Sequence, residues 1–519
     1  MKPLNRFART RQGAPLWFFA AGWALFQQAK RVGARLGFVV LALMPFGVGH
    51  VSGAPSSEYR MLWVDVFHPG LRTPQEIETM LAQARRANYN ALIVQVRKAC
   101  DAFYNSRVEP KNEAIAPDFD PLAYILERAH NPRPGEQRLE VHAWLVTYRC
   151  RMPFDNTWKN PRHVFQRHPE WLSQTIRGEK EDKGENPGRY YLDPGVPAVL
   201  DYTLEVVRDL VTRYDVDGIH FDYIRYPETE GAGNVWGYHP IAIERFNRLY
   251  GRSGKPAPND PQWCEFRRRQ IFHLVRKVYA HVREWRPDVK VSAATITWGT
   301  VSGGFERTDA YGKIFQDWPE MLRAGILDIA VPMNYKRESV ASQARAHREW
   351  AAFLGQVAAQ SGRFGVNGVD GETLNTLPDV LAQIRATRSM RGIAGIATYC
   401  YAETRKGSPP PPDVEFFQTL RSQVFTQPAR VPVAPWLARP TEGLVRGVVR
   451  RNGKPVDGAQ VTLDGESTWT DGTGFYAFAR VAPGSHTLSV SGSGAQPTVR
   501  TVRVEAGKVT VADLELASR

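Results

Sequence analysis

Eight apolar runs, each followed by a helical segment, recur along this chain, and no other feature restricts its fold as strongly. The runs fall at residues 60–67, 91–97, 139–148, within 215–227, and at 289–297, 326–335, 363–369 and 393–403. They are almost continuously apolar, as strands covered on both faces must be. The first intervening helix shows the local logic: Thr73 as N-cap, Pro74 in the first turn, then Ile77, Met80, Leu81 and Ala84 at helical spacing. Further helices are predicted over 122–129, 197–214, 262–285, 315–324, 341–356, 377–390 and 414–425. Strand–helix units repeated eight times predict an α/β fold, a (β/α)8 TIM barrel over residues 58–426.

In such a barrel the chemistry sits where strands run out into loops. Polar or aromatic residues gather at those points: Asp65 and His68, Gln95 and Arg97, Trp144 and Tyr148, Asp222 and Arg225, Trp298, Asn334 and Tyr335, Asp370, Tyr401 and Glu403. The stretch Asp-Val-Asp-Gly-Ile-His-Phe-Asp-Tyr-Ile-Arg-Tyr-Pro at 215–227 carries the sharpest signal. Read with period two, it sets His220 and Asp222 on one face and Ile219 and Phe221 on the other. A carboxylate ending a buried strand must be desolvated or paired. The plain alternative is an aspartate that caps a loop or pairs with Arg225.

The long loops, 98–118, 149–192, 227–259 and 298–314, all follow strands, and loops of this length tend to be functional. They are rich in aromatics, among them Phe103, Tyr104, Phe154, Trp158, Trp171, Tyr190, Tyr191, Trp236 and Tyr238. Aromatic faces with a few carboxylates and arginines suit a sugar ligand, whereas a nucleic-acid partner would need more basic residues among them. The formal charge of +14 does not argue otherwise, because seven lysines and arginines lie in residues 1–54 with no acidic residue there. The remaining +7 is spread thinly, a balance compatible with an anionic glycan.

Residues 1–54 read as an export segment: Lys30, Arg31 and Arg35 precede the apolar run 36–48, and Ser52-Gly53-Ala54 offers a cleavage site. A membrane anchor is the alternative. The implied location is the periplasm or cell envelope, an oxidising compartment. Cys100 and Cys150 follow strands two and three at similar offsets and are expected to pair, while Cys400 is expected to face the helix layer as a free thiol. Residues 427–440 form a Pro-rich linker, stiff and extended. Short strands separated by Gly and Pro fill 441–519, as in a small all-β sandwich.

Both halves resemble known families. The run Asp217-Gly218-Ile219-His220-Phe221-Asp222-Tyr223 with Tyr226-Pro227, Leu192 to Gly195, His142-Ala143-Trp144 with Tyr148-Arg149, and 332–335 resemble the glycosyl hydrolase-like family 10. That resemblance implies an exported barrel acting on peptidoglycan glycan strands. One position departs: where members often carry a second aspartate after the strand-four aspartate, this chain has Tyr223. The tail, through Gly447, Gly453 to Val456, Gly458-Ala459, Thr470-Asp471, Gly474 to Tyr476 and Pro483-Gly484, resembles the carboxypeptidase regulatory-like domain. This implies a transthyretin-like sandwich serving as an accessory module without peptidase activity, and an envelope protein is the partner expected for it.

Glycoside hydrolysis generally uses two carboxyl groups flanking the bond. Asp222 is the first candidate. Its partner is Glu403, with the parity of Tyr399 and Tyr401, or Asp193, whose Asp-Pro-Gly context equally reads as a helix N-terminus. Arg97, Trp144, Tyr148, Tyr223, Arg225, Trp298, Asn334, Tyr335 and Tyr401 are assigned to substrate binding. The chain lacks His-x-x-x-His and Cys-x-x-Cys spacing, a nucleophile elbow and a P-loop, so neither metal nor cofactor is expected. The expectation is an exported glycoside hydrolase of a cell-envelope polysaccharide. The alternative is a non-catalytic glycan-binding barrel that recruits partners.

Overall fold

Eight parallel strands close on themselves in sequence order: β1 Tyr59–Val64, β2 Ala91–Arg97, β3 Glu140–Val146, β4 Gly218–Asp222, β5 Lys290–Ile296, β6 Ile329–Met333, β7 Phe364–Asp370 and β8 Ile393–Tyr399. The protein is seen here as a computed structural model that describes residues 56–183, 187–228, 235–371, 373–404, 414–491 and 497–516. The expected export segment lies outside the described residues. Closure comes from β1 pairing with β8, Leu62 opposite Thr398, and with β2, Leu62 opposite Leu92. Helices follow the strands: α1 Pro74–Arg86, α2 Pro121–His130, α3 Pro197–Arg213, α4 Pro261–Trp285, α5 Trp318–Arg323, α6 Ala341–Ser361, α7 Leu377–Arg388 and α8 Val414–Gln423. Thr73 caps α1, its hydroxyl accepting the Glu76 N–H, and the buried face is Ile77, Met80, Leu81 and Ala84. One helix, Pro240–Tyr250, stands inside a stretch that the sequence suggested was loop.

Two apolar layers result. Helix faces and the outward strand residues make the larger one, and a second fills the barrel interior with Tyr59, Met61, Trp63, Ile93, Val146, Val331 and Val366. Trp63 is the bulky member near the top, its ring edge-on to His220 at 5.9 Å. Gly368 makes room for it, since a β-carbon there would lie 2.2 Å from the Pro332 carbonyl and 3.2 Å from the Trp63 ring.

The N-terminal end of the barrel is stapled by polar contacts. Asp217, just before β4, accepts the Val141 N–H at 2.8 Å and an Arg138 N–H at 2.7 Å, and lies 2.9 Å from His130 Nε2. The Pro-rich segment is not a free tether. It crosses this same end, with Ala429 O accepting from Asn90 at 3.0 Å and the Trp436 indole donating to Asp328 at 2.6 Å.

The tail is a sandwich of two sheets. One is centred on β9 Gly443–Arg451 beside β12 Phe475–Val481, and the other orders β11 Glu466–Trp469, β10 Gln460–Leu463, β13 Gly484–Ser491 and β14 Thr498–Val504. It docks on the barrel through partly buried polar contacts: Asp457 takes two hydrogen bonds from Arg245, and Arg276 of α4 donates to Thr468 and to the Trp469 carbonyl.

Asp217 tests the staple. Burial opposes its charge, but the donors from His130, Val141 and Arg138 outweigh it and bring the carboxyl from 3.8 down to about 2. A depressed carboxylate contributes stability above its unfolded value, and that contribution disappears as pH falls through about 2. Asp217→Asn should therefore cost about 2 kcal/mol at pH 7. In thermal melts the gap to wild type should narrow below pH 4.

Candidate active site

The C-terminal ends of the strands form an open mouth, and Asp222 sits in its wall as the last residue of β4. β3 and β4 pair in register, with Trp144 opposite His220 and Val146 opposite Asp222. The Trp144 indole therefore reaches two residues along β4 on the diagonal, and its N–H donates to Asp222 Oδ2 at 3.1 Å. Oδ1 accepts the N–H of Tyr223 at 2.7 Å. That second bond exists because Tyr223 takes φ +47°, a left-handed conformation that a β-carbon disfavours and that is typical of functional turns. Asp222 is 5% exposed, and burial raises its carboxyl above the ordinary range. The charges of Arg225 and Arg149 and the two hydrogen bonds pull the other way without cancelling the shift.

Tyr223 carries two cations. The guanidinium carbons of Arg225 and Arg149 lie 4.4 and 4.7 Å from its ring centre, and Arg225 also lies 4.9 Å from the Trp298 ring. Arg225 is buried, donates to Glu228 at 2.8 Å, and its Nε and Nη1 find no partner among the described residues. The floor is aromatic, with Tyr399 5.5 Å from Tyr335, 6.1 Å from Trp63 and 6.5 Å from Trp144.

Glu403 lies just past β8, half-buried, and burial pushes its carboxyl up while His68 opposes the shift. Strands four and eight are four places apart in the closed barrel, so the two carboxylates stand on opposite sides of the mouth. Tyr399 lies between them: its hydroxyl, raised by burial, is further raised by Cys400, Asp65, Glu403 and Asp222.

Several sequence assignments lie elsewhere. Asp193 is fully buried behind the β3 loop, accepting from Ser173 at 2.7 Å and from the Gly195 N–H at 2.8 Å, which is the helix-entry role. Arg97 is enclosed and ion-paired with Glu109 at 2.8 Å, and it also donates to the Thr147 carbonyl at 2.8 Å. Tyr148 is buried beside the Asp193 loop, its carbonyl accepting from Leu192. Asn334 points behind β6, donating to the His347 carbonyl at 2.8 Å and to Asn367. Tyr401 packs outward against Phe417 at 5.9 Å. The physical reason is that alternation holds only inside a strand, and β8 ends at Tyr399. Trp144, Tyr223, Arg225, Trp298 and Tyr335 do line the mouth with Asp222 and Glu403. Many loop aromatics, including Tyr104, Tyr191, Trp236 and Tyr238, are core residues, whereas Phe154 is 96% exposed.

The cysteines also differ from expectation. All four are free thiols, and Cys100 accepts from Arg97 at 2.8 Å instead of bonding to Cys150. Cys400 turns into the mouth, its thiol donating to Asp65 at 3.0 Å. From the sequence, Asp65, His68 and Glu403 fall at strand ends, but nothing there brings them together with Cys400. Asp65, His68, Cys400 and Glu403 bring one potential ligand atom each within 4.8 Å of one another, the grouping among the described residues with donors suited to a metal ion. Lys336, also unassigned, donates to the Thr297 carbonyl at 3.1 Å, and burial lowers its ammonium to about 8.

The Trp144 bond stabilises the charged form of Asp222, so Trp144→Phe should make this carboxyl titrate at higher pH than in wild type. A ¹³C NMR titration of the aspartate carboxyls measures it; a midpoint that stays or falls contradicts this electrostatic reading.

A family model described as Glycosyl hydrolase-like 10 matches residues 58–358, and one described as Carboxypeptidase regulatory-like domain matches residues 445–517. The chain is 24% identical over 393 residues to glycosyl hydrolase YngK of Bacillus subtilis (strain 168), covering 70% of this chain and 69% of that protein. It is 26% identical over 297 residues to glycosyl hydrolase DigH of Escherichia coli (strain K12), covering 52% of this chain and 61% of the relative. Among solved structures, the PgaB (BpsB) glycoside hydrolase domain of Bordetella bronchiseptica aligns at 17% identity. That alignment covers 66% of this chain and 94% of the other, with a TM-score of 0.47.

Proposed function

Because the chain belongs to the glycosyl hydrolase-like 10 family, we propose that it hydrolyses glycosidic bonds, with Asp222 as general acid and Glu403 as its partner. The observation that carries the reading is a buried carboxyl at the end of β4, raised by burial and facing a second carboxyl past β8. Asp222 in its protonated form gives its proton to the leaving oxygen as the C–O bond breaks. Glu403, ionised, takes the proton of the attacking water or bonds to the sugar carbon itself. Trp144, Tyr335, Tyr399 and Trp298 offer faces for the rings, and Arg225 and Arg149 offer donors to the substrate's oxygens.

The substrate is a cell-envelope polysaccharide, peptidoglycan glycan strands in the first instance. The basic-then-apolar segment in residues 1–54 and the cationic groups beside Asp222 support this. The protein then works as an exported enzyme in the periplasm or envelope, and its sandwich is a surface for an envelope protein. One observation favours binding without turnover: both carboxyls are shifted upward, whereas an acid and base pair is normally pushed apart.

Kinetics and a pull-down on the same purified glycan separate the readings. Asp222→Asn should lower turnover by about 10²-fold or more while binding survives, and Glu403→Gln should do likewise. A wild-type protein without turnover, whose binding weakens in Asp222→Asn, supports the non-catalytic alternative instead.

A further inference from the structure

The sandwich and the barrel meet around a cleft. About 600 Å³ of space lies between α4, the helix Pro240–Tyr250 and the edge strand β11. That is within the range of pockets that hold small molecules, about 300–1,000 Å³. None of its lining residues is among those at the mouth, so it stands apart from the Asp222 site.

The barrel side of the cleft carries unmet polar groups. His273 of α4 is 7% exposed, lines the cleft, and its Nδ1 has no hydrogen-bond partner among the described residues. Arg276, three residues on, lies on the same helix face. Its Nη atoms donate to Thr468 Oγ1 and to the Trp469 and Phe475 carbonyls, and its Nε is unpartnered among the described residues. Buried polar atoms without partners are uncommon in a folded chain, and two together call for an explanation. Burial and the charges of Arg276, Arg245 and Arg269 hold His273 well below the usual histidine value, so its ring is neutral. A neutral imidazole gives one hydrogen bond and takes one, as a hydroxyl does.

The cations of the wall are already committed. Arg269 is paired with Glu265 at 2.6 Å and with Glu320 at 2.7 Å, and Arg245 with Asp457 at 2.8 Å. With Arg276, three arginines stand against three carboxylates among the described lining residues, which fits an uncharged ligand better than an anion. Much of the remaining surface is aromatic. Trp469, at the end of β11, is 54% exposed, and Tyr250 and Phe272 are half-buried on the barrel side. A junction that served only to hold the sandwich would cover Trp469 and satisfy His273. Apolar faces with a few donors and acceptors suit sugar rings, whose C–H faces stack and whose hydroxyls meet the polar groups.

We propose that this cleft is a second glycan-binding site, in which Trp469 stacks on an uncharged pyranose ring and His273 meets its hydroxyls. The site holds a stretch of glycan beside the barrel without taking part in bond cleavage. The inference rests on the reading that a glycan is the polymer this protein meets, not on which carboxyls cleave it.

Calorimetric titration with chitotetraose tests it, on the full chain carrying Asp222→Asn so that no ligand is consumed. This protein should bind one chitotetraose more than the same protein with Trp469→Ala added. Because Trp469 is exposed, the added change should leave the melting temperature in place. Trp469→Phe should keep the site, and His273→Phe, which keeps a ring but loses both nitrogens, should weaken it by roughly fivefold to tenfold. Equal stoichiometry and affinity with and without Trp469, including no binding in either, overturns the inference. So does tighter binding of tetragalacturonate than of chitotetraose, which would make the cleft an anion site. Trp469→Ala alone should leave kcat on a short soluble glycan at the wild-type value. If the wild type cleaves that glycan and binding ignores Trp469, only the inference falls. If nothing is cleaved while Trp469-dependent binding is present, the proposed function falls and the site remains.

Discussion

Closure of the barrel by hydrogen bonds between β1 and β8 is the constraint on which the rest depends. An open sheet would leave Asp65 and Glu403 at opposite edges of a long ribbon. Closure makes them neighbours, and it sets Asp222, four strands away, across the mouth from both. It also needs the interior filled, and Trp63, seated against Gly368 and His220, does that directly beneath the mouth. The aromatic floor is therefore the top of the barrel core as much as part of a site.

Three aspartates show how local donors decide charge in a buried setting. Burial is the largest influence on each and raises all three. Asp217 and Asp65 collect enough donors to reverse it, so they are anions with structural duties. Asp222 has one indole, one backbone N–H and two guanidinium groups at stacking distance from Tyr223, and it stays raised. The difference between a lowered carboxyl and a raised one is the number and closeness of donors, not depth.

The C-terminal sandwich is held by more than its covalent link. Arg245 bridges Asp457 of the sandwich to the Gly195 carbonyl at the start of α3, and Trp436 closes the opposite end of the barrel over Phe364 at 4.8 Å. The loop that buries Asp193 is thus mechanically tied to the sandwich. A residue that reads as a second carboxylate in the chain is, in space, part of that junction.

The architecture could be read from the chain alone, because strand and helix periodicity are local properties and eight repeats leave few ways to bury their apolar faces. The place of Asp222 at the end of a buried strand was legible for the same reason, because that strand's parity is clear. Tyr148, Asn334 and Tyr401 turn away from the mouth where that logic stops, since a side chain beyond the last ladder bond no longer has a face assigned by alternation, and Arg97 turns at the register shift that follows Gln95 in the β2–β3 ladder. Cys400 and His68 needed the tertiary structure entirely. They are 332 positions apart in the chain (400 less 68) and meet only because the last strand pairs with the first. By itself the sequence determined which residues form the wall of a barrel. Only closure decided which of their polar ends face one another, because contact between distant strand ends depends on the ring, not on any neighbouring residue.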